Sequence, residues 1–515
     1  MLSRWNEADA ARHTARSGPA GLGRRVYASR LLGAQSSLVL HGGGNTSMKA
    51  GGVLYVKSSG SDLAQVREED FAALDLSAVL ALRAADSLDN AGLRAGLARA
   101  ALRSGPGASI ESLMHALLPW PFVDHTHADA VLAIVDTHDG ADVAARLFGE
   151  LAPLVPFHPS GFALARACDA VYRGRAGTRT IGLILLNHGV VAFGHDARES
   201  YENMLALVTR AEEYLASRGA WALPSDPRPF AWRPLDIARL RARMCIVAGH
   251  PLLLAALEGP SWQAFARRAD LPALCAAGPA TPQHAVFLRA RTMAGTNIDG
   301  FARDYAAAVH ATHPCIAQEA PAEAPGFDFA PRALVDPELG AWVAASSPGQ
   351  LRMARDIAQQ DMEIKTRASG HGGYVGLPVA ENIAAEIHYG GHERRLRASD
   401  GPGTSLLGQA VLIRTGARTE RLRAAYANAG AGVFTDGALE PAAVVRDTVR
   451  QLGGIDVLVI DAHDRAMLEE AAPVLAASPH GGHVVVSGAA ANADALLRRC
   501  EELGVAVAPL PEGVA

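Results

Sequence analysis

Histidines 125 and 127 stand one residue apart in "FVDHTHADAVLAIV" (Phe122–Val135), just before an apolar run. If 122–127 is extended, a period of two puts both imidazoles on one face, where they can chelate a single metal ion. A structural site would need two further protein ligands. A catalytic site needs about one more and keeps a position for substrate or water. His188, in "LILLNHGVVAFG", directly follows an apolar run and precedes a glycine. It is therefore expected at a strand end, where active sites collect in α/β folds. Three imidazoles suit zinc or a similar divalent ion. The bland alternative is chance, because a chain with 19 histidines will contain HxH pairs without a metal.

The pair gains meaning only beside a base and an anion site. Glu111, in "GASIESLMHALLP", is the candidate base, expected in the first turn of a helix with Ser109 as its N-cap. A glutamate there is also favoured by the helix dipole alone. His115 falls one turn later on the same face and reads as a packing histidine or as one that supports the ligands from behind. "HGGGNTSMK" (41–49) can turn successive backbone N–H groups toward an anion, though it lacks the GxxxxGK[ST] of a Walker loop. "VKSSGSD" (56–62) is a second Ser/Gly turn. Both stretches could equally be simple hairpin turns.

These residues need elements to hold them. Over 1–220, "SLVLHG" and "GVLYVKSSG" read as strands separated by a glycine-rich turn, and "SIESLMHALLP" as a helix stopped by Pro119. "TIGLILLNHG" reads as an apolar strand ending in a polar turn. "DARESYENMLALVTRAEEYLASRG" is an amphipathic helix, capped near Asp196 and ended at Gly219. Residues 221–330 read as helical with many proline breaks, and 221–403 as a whole is expected to be mainly helical. A new segment begins at "APRALVDPELGAWVA", a long helix follows in "SPGQLRMARDIAQQDMEIKTRA", and "SDGPG" (399–403) reads as a linker. From 404 to 515 short apolar strands alternate with helices ("QAVLIRT", "GVFTD", "IDVLVID", "GHVVVSG", "GVAVAPLP"). This βαβ rhythm implies a small parallel sheet.

Composition sets the frame. A chain of 515 residues is too long for one ordinary core, so two or three domains are expected. Apolar content of 49% and charged content of 20% are those of a globular protein. A net charge of -5, with no basic stripe or zinc-finger pattern, argues against a nucleic-acid partner. No signal peptide or membrane span is legible, so a cytoplasmic protein is expected. The five cysteines contain no CxxC pair and read as reduced thiols. Lysine occurs only at 49, 57 and 365, two of them in the glycine-containing stretches.

Together, "GGGNTS", "KSSG", "SIE", "HTH" and "NHG" resemble the class II aldolase/adducin family over about residues 20–220. The details, including "VDHTHADAVLA", "ARESYENM" and "DPELG", are most similar to the aldolase half of bifunctional rhamnulose-1-phosphate aldolase/short-chain dehydrogenase proteins. The resemblance implies an α/β architecture: a class II aldolase-type α/β/α catalytic core (1–220), a family-specific extension (221–403) and a small Rossmann-like domain (404–515). It implies Zn2+ or another divalent ion on His125, His127 and His188, and Glu111 as general acid/base. Gly44, Asn45, Ser59, Gly60 and Ser109 would hold the substrate phosphate. Ile110 replaces the family's second serine, which puts one phosphate contact in doubt. A homo-oligomer, in relatives a tetramer, is also implied.

The C-terminal part departs from the dehydrogenase pattern. Thr415 and Gly416 survive from its TGxxxGxG, but Glu420 and Leu422 replace the later glycines that let a backbone approach pyrophosphate. Asp436 keeps the ribose-binding acidic position, "IDAH" (460–463) replaces NNAG, and no lysine follows Lys365. A truncated, degenerate domain without NAD(P) is expected, with a role in structure or assembly. The implied activity is cleavage of a ketose 1-phosphate, similar to rhamnulose 1-phosphate, to dihydroxyacetone phosphate and a lactaldehyde-like aldehyde. For that task the Glu111 pKa is expected to be raised toward neutrality. Alternatives are a same-family epimerase or decarboxylase, a non-catalytic adducin-like binding protein, and a Schiff-base aldolase using Lys49 or Lys57.

Overall fold

The computed structural model describes residues 1–18, 21–313, 327–390, 405–414, 419–436, 440–487 and 494–509. They form two compact units, one of residues 1–223 with 360–377 and one of 224–359 with 378–515. Among the described residues no helix is long and apolar enough to cross a membrane.

The first unit is built on a seven-stranded sheet of β1 (Asn45–Ala50), β2 (Val53–Lys57), β3 (Phe71–Asp75), β4 (Phe122–Thr126), β5 (Leu154–Val155), β6 (Gly182–Leu185) and β7 (Gly189–Gly194). The order is β3-β2-β1-β4-β7-β6-β5. Every pairing is antiparallel except β5 with β6. Alternation along the strands feeds two cores, which gives an α/β/α arrangement. Leu54, Val56, Val123 and Phe193 pack with Leu113 and Leu117 of the helix Ser112–Leu117. Met48 and Phe71 pack with Leu22 and Val26. The helix Ala197–Ser217 starts where expected, with Asp196 accepting hydrogen bonds from the Arg198 and Glu199 N–H groups, and Gly219 follows at φ +69°.

One expected strand is absent. "SLVLHG" (37–42) forms turns, and the strand begins within the glycine-rich stretch, at Asn45. Leu38 and Val39 are apolar because they are buried, not because they pair in a ladder. Their N–H groups donate to Gln35 O, and the Leu38 carbonyl accepts from His127 N. His41 at φ +54° and Gly44 at φ +56° then turn the chain into β1. A second shift is smaller: the helix starts at Ser112, so Glu111 is its N-cap rather than a first-turn residue.

Residues 360–377 complete this unit from far along the chain. They are the last part of the long helix Pro348–Ser369 and the loop after it. Gln360 Nε2 donates to Asp129 Oδ1 at 2.6 Å, Thr137 bridges to Tyr374, and Val375 N donates to Asp136 O at 2.8 Å.

The second unit holds two sheets. β8 (Leu253–Leu257), β9 (Met293–Ala294), β10 (Ala333–Asp336) and β11 (Gly340–Ala345) pair in the order β8-β11-β10-β9. "DPELG" is the turn between β10 and β11. The second sheet is all parallel and contains the five strands expected from the βαβ rhythm: β12 (Ala410–Ile413), β13 (Gly432–Thr435), β14 (Val457–Ile460), β15 (His483–Val486) and β16 (Ala506–Ala508). Their order is β13-β12-β14-β15-β16, a doubly wound arrangement whose direction switches at β12. At that switch point Asp436 is ion-paired to Arg414, whose Nε also meets Asp464 Oδ2 at 2.9 Å. The acidic position that a ribose would use is thus engaged by the chain's own guanidinium. The expected linker 399–403 and the pair Thr415 and Gly416 lie outside the described residues. Glu420, in the first turn of the helix Thr419–Asn428, pairs with Arg423.

Candidate metal and acid–base site

Strand register assembles the site. β4 lies between β1 and β7, with Asn45 opposite His125 and His125 opposite Val191. His127 follows β4 directly, and His188 sits in the turn from β6 to β7. Two glycines permit this close approach. A Cβ on Gly44 would lie 2.6 Å from His125 O, and one on Gly189, at φ +153°, would lie 2.2 Å from Thr126 O.

All three imidazoles are buried, and their ring centroids lie 4.9, 5.0 and 5.3 Å apart. One ligand atom from each lies within 4.8 Å of the others. His125 Nε2 and His127 Nε2 are 3.2 Å apart. Metal–nitrogen bonds of about 2.0–2.1 Å in a tetrahedral set bring two nitrogens to roughly this separation. His125 Nδ1 lies 3.0 Å from Val190 O, which must accept its proton, so the Nε2 lone pair points into the cluster. Burial drives the His125 pKa down to about 4, against the pull of Glu111, so the ring is neutral and able to ligate at pH 7. The donor set fits zinc or a similar divalent ion with an open position.

Glu111 lies beside the histidines, with Oε1 3.3 Å from His188 Nε2 and Oε2 3.7 Å from His125 Nε2. Asn45 Nδ2 donates to Oε2 at 2.6 Å, and Ser160 Oγ donates to Oε1 at 3.1 Å. Burial raises the carboxyl, but His125, His188 and Asn45 outweigh it, and the net direction is well below the usual carboxylate range. The expected rise toward neutrality is therefore corrected. A neutral His125 gives Glu111 less support than a charged one. The Asn45 donor does not depend on that charge.

A hydrogen-bond chain fixes the Asn45 amide. Its Nδ2 faces the carboxylate and Ser109 Oγ (3.2 Å), so its Oδ1 faces His115 Nε2 in a short hydrogen bond. His115 Nε2 must then carry the proton, and its Nδ1 accepts from Ser47 Oγ at 2.8 Å. Burial pushes the His115 pKa down to about 3, which keeps the ring neutral. Of the two readings for His115, packing or support from behind the ligands, the second holds: it orients Asn45, which bonds Glu111.

The glycine turns face each other, since a Cβ on Gly42 would lie 3.2 Å from the Cα of Gly60. Gly60 has φ +83°, Ser59 is exposed, and its N–H donates to Gly107 O. Ser109 Oγ accepts from Asn45 Nδ2 and from the Glu111 N–H. Ile110 packs against the core instead of facing a ligand. Lys57 Nζ donates to Gly42 O and Gly44 O, both at 2.9 Å, and burial lowers its pKa to about 8. Lys49 Nζ donates to Leu118 O and Trp120 O at 2.6 and 2.7 Å, with its pKa lowered to about 7 by burial. Both amines are engaged by backbone carbonyls, one set closing the glycine loop and the other ending the helix Ser112–Leu117.

Ser160 is the residue that sequence reasoning missed. It sits in "HPSG" before the helix Phe162–Arg175, and a serine in such a turn carries no signal that it will reach a base 49 positions away.

Residues 24–215 match the family model described as Class II Aldolase and Adducin N-terminal domain, and residues 235–391 match Aldolase class II, second domain. A curated relative, the Uncharacterized oxidoreductase YuxG of Bacillus subtilis (strain 168), is 33% identical over 211 residues. That match covers 39% of this chain and only 30% of the relative. Among solved structures, the N-terminal class II aldolase domain of a conserved protein from Thermoplasma acidophilum is 32% identical, with TM-score 0.37, over 42% of this chain and 99% of that one. L-fuculose-1-phosphate aldolase from Thermus thermophilus is 20% identical, with TM-score 0.27, over 38% of this chain and 94% of that one.

Proposed function

The chain belongs to the class II aldolase/adducin family through residues 24–215 and 235–391, and from this premise we propose that it is a metal-dependent aldolase. The proposed reaction is cleavage of a ketose 1-phosphate similar to rhamnulose 1-phosphate, giving dihydroxyacetone phosphate and an aldehyde similar to lactaldehyde. The observation that carries the reading is the convergence of three imidazoles with a carboxylate oxygen 3.3 Å from His188 Nε2.

His125, His127 and His188 would hold the ion through Nε2. When bound, it would act as a Lewis acid on the ketose oxygens and stabilise the negative charge that develops on them. Glu111 moves the proton. In the condensation direction its carboxylate removes a proton from the carbon next to the carbonyl of dihydroxyacetone phosphate, while the new C4 oxygen takes up a proton from solvent. In cleavage the C3–C4 bond breaks as the C4 hydroxyl releases its proton to solvent, and Glu111 delivers a proton to the three-carbon carbanion. Asn45 and Ser160 hold its two oxygens so that the carboxylate keeps one orientation. The turns carrying Gly44, Ser59 and Gly60, with Ser109 beside them, would bind the phosphate. This gives binding energy remote from the reacting carbons. We also propose the division into a catalytic core (1–220), an extension (221–403) and a structural Rossmann-like domain (404–515), and assembly as a homo-oligomer.

The test is an aldol-cleavage assay over a panel of ketose 1-phosphates, with and without chelator, coupled to detection of dihydroxyacetone phosphate. Chelator-sensitive release supports the reading. Epimerised or decarboxylated product without cleavage overturns it in favour of another reaction on the same site. His188→Ala is expected to lose the metal, and unchanged metal content by atomic absorption would refute the three-histidine site. His115→Phe removes the donor that orients Asn45. It is expected to lower kcat about 10–100-fold, the order of loss when a hydrogen-bonded support behind a site residue is removed. KM should change far less, and a loss confined to KM would assign His115 to substrate binding instead.

A further inference from the structure

Three non-glycine residues among those described have positive φ: His41, Asn187 and Arg289. Asn187, at φ +54°, immediately precedes His188. Asparagine tolerates the left-handed region better than most residues, but holding it there requires local support. That support is visible. Asn187 Nδ2 donates to Asp136 Oδ1 at 2.9 Å, and Asp136 is fully buried at the end of the helix Asp129–Val135. Its second oxygen, Oδ2, has no hydrogen-bond partner.

We propose that Asp136 and Asn187 are positioning residues for the third metal ligand, and that residues 360–377 exist in this unit to hold Asp136 in place. The inference rests on the metal-dependent reading above. The return segment meets Asp136 through its backbone, with Val375 N donating to Asp136 O at 2.8 Å and Thr137 bridging Tyr374. Behind that contact, Lys365 Nζ pairs with Asp361 Oδ2 at 2.8 Å and lies 5.4 Å from the Tyr374 ring centre. Burial, with Asp361 adding to it, pushes the Asp136 carboxyl well above the usual range, and its Oδ1 accepts from Asn187 Nδ2. The turn itself has little slack, because a Cβ on Gly189 would lie 2.2 Å from the Thr126 carbonyl oxygen. His188 therefore reaches its position only while Asn187 stays in the left-handed region. Through this chain of contacts, a segment some 170 residues downstream of His188 supports a ligand of the proposed ion.

The experiment titrates the metal-free full-length protein with Zn2+ in competition with a chromogenic chelator. Asp136→Ala is expected to weaken zinc binding about 10–100-fold, the usual cost of removing a partner that orients a ligand. Asp136→Asn offers the same acceptor oxygen without charge and should bind zinc as the parent does. Asn187→Gly keeps the backbone freedom but loses the side-chain hydrogen bond, and should weaken binding like Asp136→Ala. If Asp136→Ala does not fold, as judged by circular dichroism, Asn187→Gly decides. Folded Asp136→Ala or Asn187→Gly protein that binds zinc as tightly as the parent overturns the inference while leaving the metal reading intact. A parent protein that binds no zinc, or a His188→Ala variant that binds it equally well, overturns the metal reading and this inference with it.

Discussion

Glu111→Gln is expected to reduce aldol cleavage by about 10²–10⁴-fold, the usual contribution of a positioned acid–base group, with zinc content unchanged. The substitution keeps the shape of the side chain and an oxygen that can accept from Asn45 or Ser160, so the site should stay assembled. What it removes is the capacity to take a proton. The metal-free site holds Glu111 as a carboxylate, ready to remove a proton, rather than as a neutral acid. The glutamine variant should also fail to exchange the proton next to the carbonyl of dihydroxyacetone phosphate with solvent, followed by NMR in deuterium oxide. Exchange at the parental rate would remove Glu111 from the proton-transfer role even if cleavage were slow for another reason.

Arg241→Met and Asp456→Asn should each cost about 3–5 kcal/mol of stability, because each leaves one buried partner without its counter-charge. Arg241 lies in the helix Pro234–Ala248, and Asp456 just before β14. The two side chains are nearly inaccessible and meet in a two-pronged pair at 3.0 and 2.6 Å. Arg241 also donates to Leu252 O and Gly408 O, and Asp456 accepts from Ala410 N and Ser478 Oγ. The pair joins the parallel sheet to the rest of its unit. Burial disfavours the Asp456 carboxylate, but Arg241 outweighs it and holds the folded pKa below the ordinary value. The stability difference between parent and Asp456→Asn should therefore be full above about pH 4, the unfolded value, and narrow as pH falls through the folded one. Chemical denaturation at pH 7 measures the loss, and a change of less than about 1 kcal/mol, the scale of an exposed pair, would show that the pair is not the joint described.

The two kinds of residue differ in how far they could be read in advance. The HxH pair was legible because a strand has a period of two, so two positions two apart share a face whatever surrounds them. The helix capped by Asp196 and the five parallel strands were legible for the same local reason: their patterns repeat within ten to twenty residues. "SLVLHG" misled because an apolar run reports burial and not the bonding of its backbone. Its carbonyl and N–H groups went to Gln35 and His127 instead of to a neighbouring strand. The Glu111 pKa was misjudged for a related reason. Burial was foreseeable, but the groups that oppose it, His125, His188 and Asn45, are brought to Glu111 from positions distant in sequence.

The amino-acid sequence by itself determined the types of the candidate ligands, their order and the local faces that carry them, since side-chain chemistry and periodicity are properties of short segments. Only the tertiary structure decided that β1 lies against β4 in the register that sets Asn45 opposite His125. It alone also brought Ser160 to Glu111, Asp136 to Asn187, and residues 360–377 to a unit otherwise made of the first 223. Such contacts depend on strand pairing and on closing long loops. Their free energy is shared among many residues, and no local pattern in the chain encodes it.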